Sequence, residues 1–163
     1  MPMHKRRVYV ETSVVSYLVA EPSQDVLILG RQKATRELWS RLSRDYAPYV
    51  SVLVVQEAGK GNAKQSSKRA AAIASFPVLD INDTAEALSA KILHGKGIPD
   101  SHPEDALHIA VAAVHGMDLV LTWNFTHLNN PFTRMLVRQL VENHGVRCPE
   151  ICSPDELLEN AHD

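Results

Sequence analysis

The amino-acid sequence predicts an α/β fold in which helices cover both faces of a central parallel sheet of four to five strands. Three observations carry that prediction. Short β-branched or apolar runs alternate with longer segments of helical periodicity, the order required by parallel strands joined through crossover helices. The 163 residues contain no internal repeat, low-complexity tract or linker, so a single domain over residues 1–163 is expected. Hydrophobic residues make up 45% and charged residues 22%, enough apolar material for a buried core.

Val8-Tyr9-Val10 is a β-branched and aromatic run and reads as a buried first strand. Thr12 or Ser13 is expected to cap the helix that follows, with Val14, Val15 and Leu18 along it. Pro22 and Ser23 break the chain, and a long amphipathic helix then runs to about Arg44 with Leu27, Ala34, Leu38 and Leu42 on one face. Pro48 is expected to stop it. Tyr49 to Leu53 reads as the second strand, and a helix from near Val54 carries Glu57.

Gly59 and Gly61 interrupt that helix, and an alanine-rich helix follows around Ala70 to Ala74. Pro77 to Ile81 reads as the third strand, and Asp83 with Glu86 as the capping pair of the next helix. Ser101 and Glu104 have capping-box spacing, with Pro103 suited to the first turn and Leu107, Ala110, Val111 and Val114 at helical spacing behind it. Gly116 closes that helix and Leu119 to Thr122 is the fourth strand. Asn130 and Pro131 open a helix with Leu136, Leu140 and Val141 inward and Gly145 as its terminator. A strand near Ile151 and a short helix from Asp155 to Leu158 complete the pattern.

Composition narrows the function. The net charge of −2 supplies no global positive field, so any nucleic-acid contact must come from local basic clusters. Two cysteines, Cys148 and Cys152, are too few for a secreted disulfide scaffold and lack a second pair for a metal site. No apolar run has membrane length, and no signal-peptide core follows the basic residues near the start. A reducing interior and a cytoplasmic location, with no membrane association, are expected.

In an open parallel sheet, ligands bind beyond the carboxyl ends of the strands. Glu11 follows the first strand and Asn124 the fourth, while Asp105 opens the helix leading into that strand and Glu57 lies in the helix after the second. Three carboxylates and one amide are thus expected at one edge. Clustered carboxylates repel one another unless a cation or protons neutralise them. Oxygen donors without thiolates favour Mg²⁺ or Mn²⁺ over zinc.

Four segments resemble the motifs of the PIN domain family. Val8-Tyr9-Val10-Glu11-Thr12-Ser13 resembles its opening strand, where an acid precedes Thr-Ser, and Ser51 to Glu57 resembles its strand running into a glutamate-bearing helix. Asp105-Ala106-Leu107-His108-Ile109-Ala110 resembles its aspartate opening an alanine-rich helix. Thr122-Trp123-Asn124-Phe125 resembles its final strand end, usually Thr-x-Asp. The resemblance implies a PIN-like three-layer α/β/α fold and a metal-dependent endoribonuclease of the VapC-like toxin kind, leaving a 5′-phosphate and a 3′-hydroxyl. It implies an RNA substrate, an antitoxin protein as partner, a homodimer, and Mg²⁺ or Mn²⁺ as cofactor. Glu11, Glu57 and Asp105 would be metal ligands and Asn124 a ligand or substrate-positioning group. Thr12, Ser13 and Thr122 would hydrogen-bond a carboxylate or a water at the metal, and His127 would contact phosphate or such a water. Lys60 and Lys64, in the basic cluster after Glu57 with Lys68 and Arg69, would hold the RNA backbone. Glu11 and Asn124 stand where the family usually has Asp, which lengthens one ligand and removes one charge.

Plainer readings compete. Glu57 and Asp105 fit as surface helix acids, Thr12 and Ser13 as caps, and His127 as a loop residue. His108 and His115 lie with Asp105 on one helix face and are expected to be solvated, while Trp123 is expected in the core or at a dimer contact rather than against a base. Lys5, Arg6 and Arg7, like Lys33, Arg36 and Arg44, fit a solvated face. The alternative function is a catalytically weakened PIN-like binding or regulatory module. A phospho-accepting receiver or a phosphatase fits poorly, since the first strand ends in Glu11 rather than Asp, and no Gly-rich phosphate loop supports a nucleotide-binding enzyme.

Overall fold

The structure is a computed structural model and describes residues 4–160. Its elements follow in order β1 (Arg7–Val10), α1 (Thr12–Val19), α2 (Val26–Asp45), β2 (Ala47–Ser51), α3 (Val52–Ala58), α4 (Ala63–Ile73) and β3 (Val78–Leu79). Then come α5 (Asp83–His94), α6 (Pro103–Val114), β4 (Leu119–Leu121), α7 (Pro131–Asn143), β5 (Glu150–Cys152) and α8 (Pro154–Asn160). The five strands form one parallel sheet in the order β3-β2-β1-β4-β5.

That order creates a switch point. From β1 the chain moves outward to β2 and β3, then returns across the sheet to β4 and β5. Crossovers of one hand that travel in opposite directions put their helices on opposite faces. Accordingly α1 packs with α2, α3 and α4, whereas α5 packs with α6 and α7. The crevice opens between β1 and β4, whose last paired residues are Val10 and Leu121. Glu11 and Thr122 therefore stand side by side just beyond the sheet.

Burial follows from this layering. Val8, Tyr9 and Val10 are fully enclosed, as a central parallel strand requires. On α6, Ala106, Ala110, Ala112 and Ala113 are buried with Ile109 and Val111, and the helix packs closely against α5. Edge strand β3 has only two residues, and its Val78 is half exposed.

Several boundaries differ from the sequence reading. β2 begins at Ala47 and includes Pro48, which the reading had made a helix stop. Ala47 N donates to Arg6 O on the β1 side and Val50 N to Pro77 O on the β3 side, so Pro48 lacks its N–H on the side where β3 has not yet begun. Ser51 ends β2 because its hydroxyl accepts from Val54 N and caps α3. Glu11, rather than Thr12 or Ser13, caps α1, and Asn82, rather than Asp83, caps α5. Ser101 caps nothing: His102 holds the cap position of α6 without a side-chain bond, and Pro103 fills the first turn. On α2 the buried stripe is Gln32, Thr35, Leu38 and Leu42, while Leu27 is exposed. Polar Gln32 can be buried because its amide oxygen accepts from Ser23 N and its nitrogen donates to Glu21 O. Gly116 and Gly145 follow α6 and α7 at φ of 74° and 84°, the left-handed turn that glycine allows without strain.

Candidate functional site

Glu11 leaves β1 at the switch point and is 6% exposed. Its Oε2 accepts from Ser13 N at 3.0 Å, and its Oε1 accepts from the hydroxyls of Ser13 at 2.5 Å and Thr122 at 2.6 Å. Ser13 Oγ in turn accepts from Trp123 N at 2.9 Å, and Thr122 Oγ1 from Asn124 N at 3.0 Å. Two hydroxyls thus lock the turn after β1 to the end of β4 and hold one carboxylate between them.

Glu57 comes from the second turn of α3. Its Oε1 accepts from Thr12 Oγ1 at 2.5 Å and lies 2.8 Å from His108 Nε2, while Oε2 has no hydrogen bond among the described residues. His108 Nδ1 lies 2.6 Å from Tyr9 Oη, which lies 2.8 Å from Ser51 Oγ. A buried polar chain therefore runs from Ser51 under the sheet edge to Glu57. Burial opposes ionisation of Glu57, but the bond and charge of His108, with help from Thr12 and Lys60, hold its carboxyl below the usual range. His108 is 1% exposed, so the expected solvated histidine is instead a core residue. Burial works against its charge, yet Glu57, Glu11 and Asp105 together raise its pKa. His115 is half-buried, with Nε2 placed 2.9 Å from Asp80 O.

Asp105 sits in the first turn of α6 and is 7% exposed. Burial raises its pKa, and the Glu11 carboxylate is the next cause. Asn124 Nδ2 donates to Asp105 Oδ1 at 3.3 Å, while Asn124 Oδ1 accepts from His127 N at 2.9 Å. Asn124 thus faces the acids with a donor, its oxygen being turned to the loop. His127 Nδ1 lies 3.1 Å from Asp105 Oδ2.

The structure brings Glu11, Glu57 and Asp105 to one edge. Donor atoms of Glu11 and Glu57 come within 4.8 Å of each other, a gap close to the roughly 4.2 Å spanned by two Mg²⁺–oxygen bonds. Asp105 is near enough for Glu11 to oppose its ionisation. Hydroxyl-anchored carboxylates with spare oxygen lone pairs fit a hard divalent cation. His108 shares this group by distance, but both its ring nitrogens are already engaged, so it orients Glu57 rather than offering a ligand. The sequence places His108 in solvent and assigns no site role to Tyr9 or Ser51. The available signal was the i, i+3 spacing of Asp105 and His108, which places them on one helix face.

Lys60 and Lys64 are exposed beyond α3, and Lys60 is close enough to favour the charged form of Glu57. Lys68 pairs with Glu21 at 3.7 Å, and Arg69 is turned inward onto Ala58 O and Lys60 O. Lys5, Arg6 and Arg7 precede or start β1 and so lie at the opposite edge from the acids; a cavity of about 820 Å³ there is lined by Lys5, Arg6, Arg41 and Arg44. Trp123 is in the core, its indole N–H donating to Thr35 Oγ1 at 2.8 Å. Cys148 and Cys152 are free and buried, and burial pushes their thiols up to about 11 and about 12. Among the described residues, no helix is long and apolar enough to cross a membrane.

Comparison with known proteins agrees with this fold. Among solved structures, VapBC2 from Rickettsia felis, bound to a DNA fragment from the pair's promoter, superposes with a TM-score of 0.58 at 12% identity, covering 90% of this chain and 98% of that one. The Mycobacterium tuberculosis toxin VapC20, described as cleaving the Sarcin-Ricin loop, gives 0.57 at 18% identity over 73% of this chain and 91% of its own. VapBC-1 from nontypeable Haemophilus influenzae gives 0.55 at 16% identity over 91% of this chain and 98% of its own. At such identities the likeness is one of fold. No curated protein matches the sequence. The PIN domain family matches residues 8–125, which span β1 through the loop bearing Asn124. The chain belongs to the PIN domain family.

Proposed function

We propose that this protein is a Mg²⁺- or Mn²⁺-dependent endoribonuclease, the toxin of a toxin–antitoxin pair. The carrying observation is the approach of Glu11 and Glu57 donors to within 4.8 Å at the β1/β4 switch point, with Asp105 close enough to Glu11 to feel its charge. Membership in the PIN family and the fold shared with VapC proteins support the reading. In it Glu11, Glu57 and Asp105 would hold the cation, which when bound would supply a polarised water and positive charge to offset that building on the scissile phosphate.

The remaining groups have distinct tasks. Ser13 and Thr122 fix Glu11, while Thr12 and His108 fix Glu57, so the ligands are set before substrate arrives. Asn124 is a ligand or a positioning group, and its donor contact with Asp105 favours positioning. His127 lies at the rim, where it can meet a phosphate oxygen, and Lys60 and Lys64 offer cations to the RNA backbone. Cleavage leaves a 5′-phosphate and a 3′-hydroxyl. An antitoxin protein covers the acidic edge, the toxin pairs as a homodimer, and both act in the cytoplasm.

The test is Mn²⁺-dependent cleavage of RNA by the purified protein. Asp105→Asn and Glu57→Gln should each lower the rate by at least about 100-fold. Equal cleavage by these variants, or with chelator present, would overturn the proposal. One observation favours a second reading, a catalytically weakened PIN-like binding or regulatory module: Asn124 brings no charge to the cage. Under that reading the wild type is inactive and Asn124→Asp restores cleavage.

A further inference from the structure

We infer that His102, Asp105 and His127 form a second cation site, beside the carboxylate cage with which it shares Asp105 and suited to a borderline divalent ion such as Zn²⁺ or Co²⁺. The residues come from two segments that the fold brings together. His102 precedes α6, Asp105 lies in its first turn, and His127 follows β4. The two imidazole rings stand 3.8 Å apart between centroids. One donor atom from each of the three residues lies within 4.8 Å of the other two.

The spacing of His127 and Asp105 matches coordination by one ion, and His102 lies within 4.8 Å of both. Ligands bound at about 2.0–2.2 Å and separated by 90–110° at the ion stand roughly 3.0–3.4 Å from each other. His127 Nδ1 and Asp105 Oδ2 are already 3.1 Å apart. Two imidazoles and one carboxylate suit Zn²⁺ or Co²⁺, whereas the oxygen-only cage behind them suits Mg²⁺ or Mn²⁺. The histidine side chains are 38% and 22% exposed, so an ion reaches them from solvent. The other histidine-containing group lacks this property, because His108 is enclosed and both its nitrogens are engaged.

Neighbouring contacts support the set. Glu104 Oε1 lies 3.5 Å from His102 Nδ1, the carboxylate–histidine arrangement that orients a ligating ring. Asn124 Oδ1 holds the loop of His127 through its backbone N–H. Asp105 divides its oxygens, Oδ2 toward His127 and Oδ1 toward Asn124, so one carboxylate serves both sites and filling the outer one alters the inner. The site does not depend on the nuclease reading.

Calorimetric titration with Zn²⁺, and Co²⁺ titration followed by visible absorption, test the site on wild type, His102→Ala, His127→Ala and Glu57→Gln, with circular dichroism confirming the fold. His127→Gln serves if His127→Ala does not fold. The expected result is one Zn²⁺ or Co²⁺ per chain, weakened at least about tenfold by either histidine substitution and retained in Glu57→Gln. Absence of binding, binding indifferent to both histidines, or binding lost in Glu57→Gln would overturn it. Mn²⁺-dependent RNA cleavage, read separately, decides the nuclease proposal.

Discussion

His108 Nε2 lies 2.8 Å from Glu57 Oε1, and the same ring reaches Tyr9 Oη through Nδ1 at 2.6 Å. An enclosed imidazole thus ties the Glu57 carboxylate to the central strand. Removing it leaves the Tyr9 hydroxyl short of a partner and frees Glu57 to swing. His108→Ala should lose about 1–3 kcal/mol of stability from unpaired polar groups, with more from the cavity. Its Mn²⁺ affinity should fall roughly 10–100-fold. Urea unfolding and calorimetry measure the two effects; unchanged Mn²⁺ affinity in a folded variant would refute the orienting role.

The same pair sets a pH window. Burial opposes both charges, yet the contact holds Glu57 below its ordinary 4.5 and His108 above its ordinary 6.5. A lowered carboxyl pKa stabilises the fold above its unfolded value and loses that support as pH falls through the folded value. A raised imidazole pKa stabilises below its unfolded value and loses that support as pH rises through the folded one. In the cation-free protein the pair therefore contributes most between about pH 4.5 and pH 6.5. The melting-temperature difference between wild type and His108→Gln should peak there. A difference that grows steadily above neutrality would contradict the assignment.

Asn124→Asp replaces a donor 3.3 Å from Asp105 with a like charge. Without a cation the variant should be less stable, because Asp105 is already raised by burial and by Glu11. With Mn²⁺ the added ligand charge should tighten binding about tenfold or more. Melting with and without Mn²⁺ checks both signs, and the idea fails if the cation stabilises both proteins equally.

Lys60 and Lys64 should act on RNA through charge alone. Replacing either with Ala should weaken RNA binding evenly across sequences and reduce the steepness of its salt dependence by about one counterion. Fluorescence anisotropy over a range of NaCl concentrations measures this. Replacing Arg6, at the opposite edge, should leave the slope at the acidic edge unchanged.

The layered fold was legible because β1, α6 and β4 are read from strong apolar patterns, and the order of strands and helices fixed which edge Glu11 and Asn124 share. The start of β2 lies two residues before the expected Tyr49 because the tolerance of Pro48 within the strand depends on how late β3 begins, a tertiary fact. Leu27 was misplaced because the buried stripe of α2 includes Gln32 and Thr35, whose partners Glu21, Ser23 and Trp123 come from elsewhere in the chain. The acids were legible by position and their anchoring was not. That Thr12 serves Glu57 while Thr122 joins Ser13 on Glu11 depends on hydrogen bonds across 45 and 111 residues of sequence. His108 was expected in solvent and His102 given no role for the same reason, since a helix wheel shows neither the strand beneath nor the loop opposite.

Mn²⁺ titration of the wild type beside Glu11→Gln, Glu57→Gln and Asp105→Asn tests the shared cage most directly. One binding event in the wild type, lost or strongly weakened in each of the three variants, is the predicted result. Mn²⁺ bound with wild-type affinity by any one of them would show that its carboxylate takes no part in holding the ion.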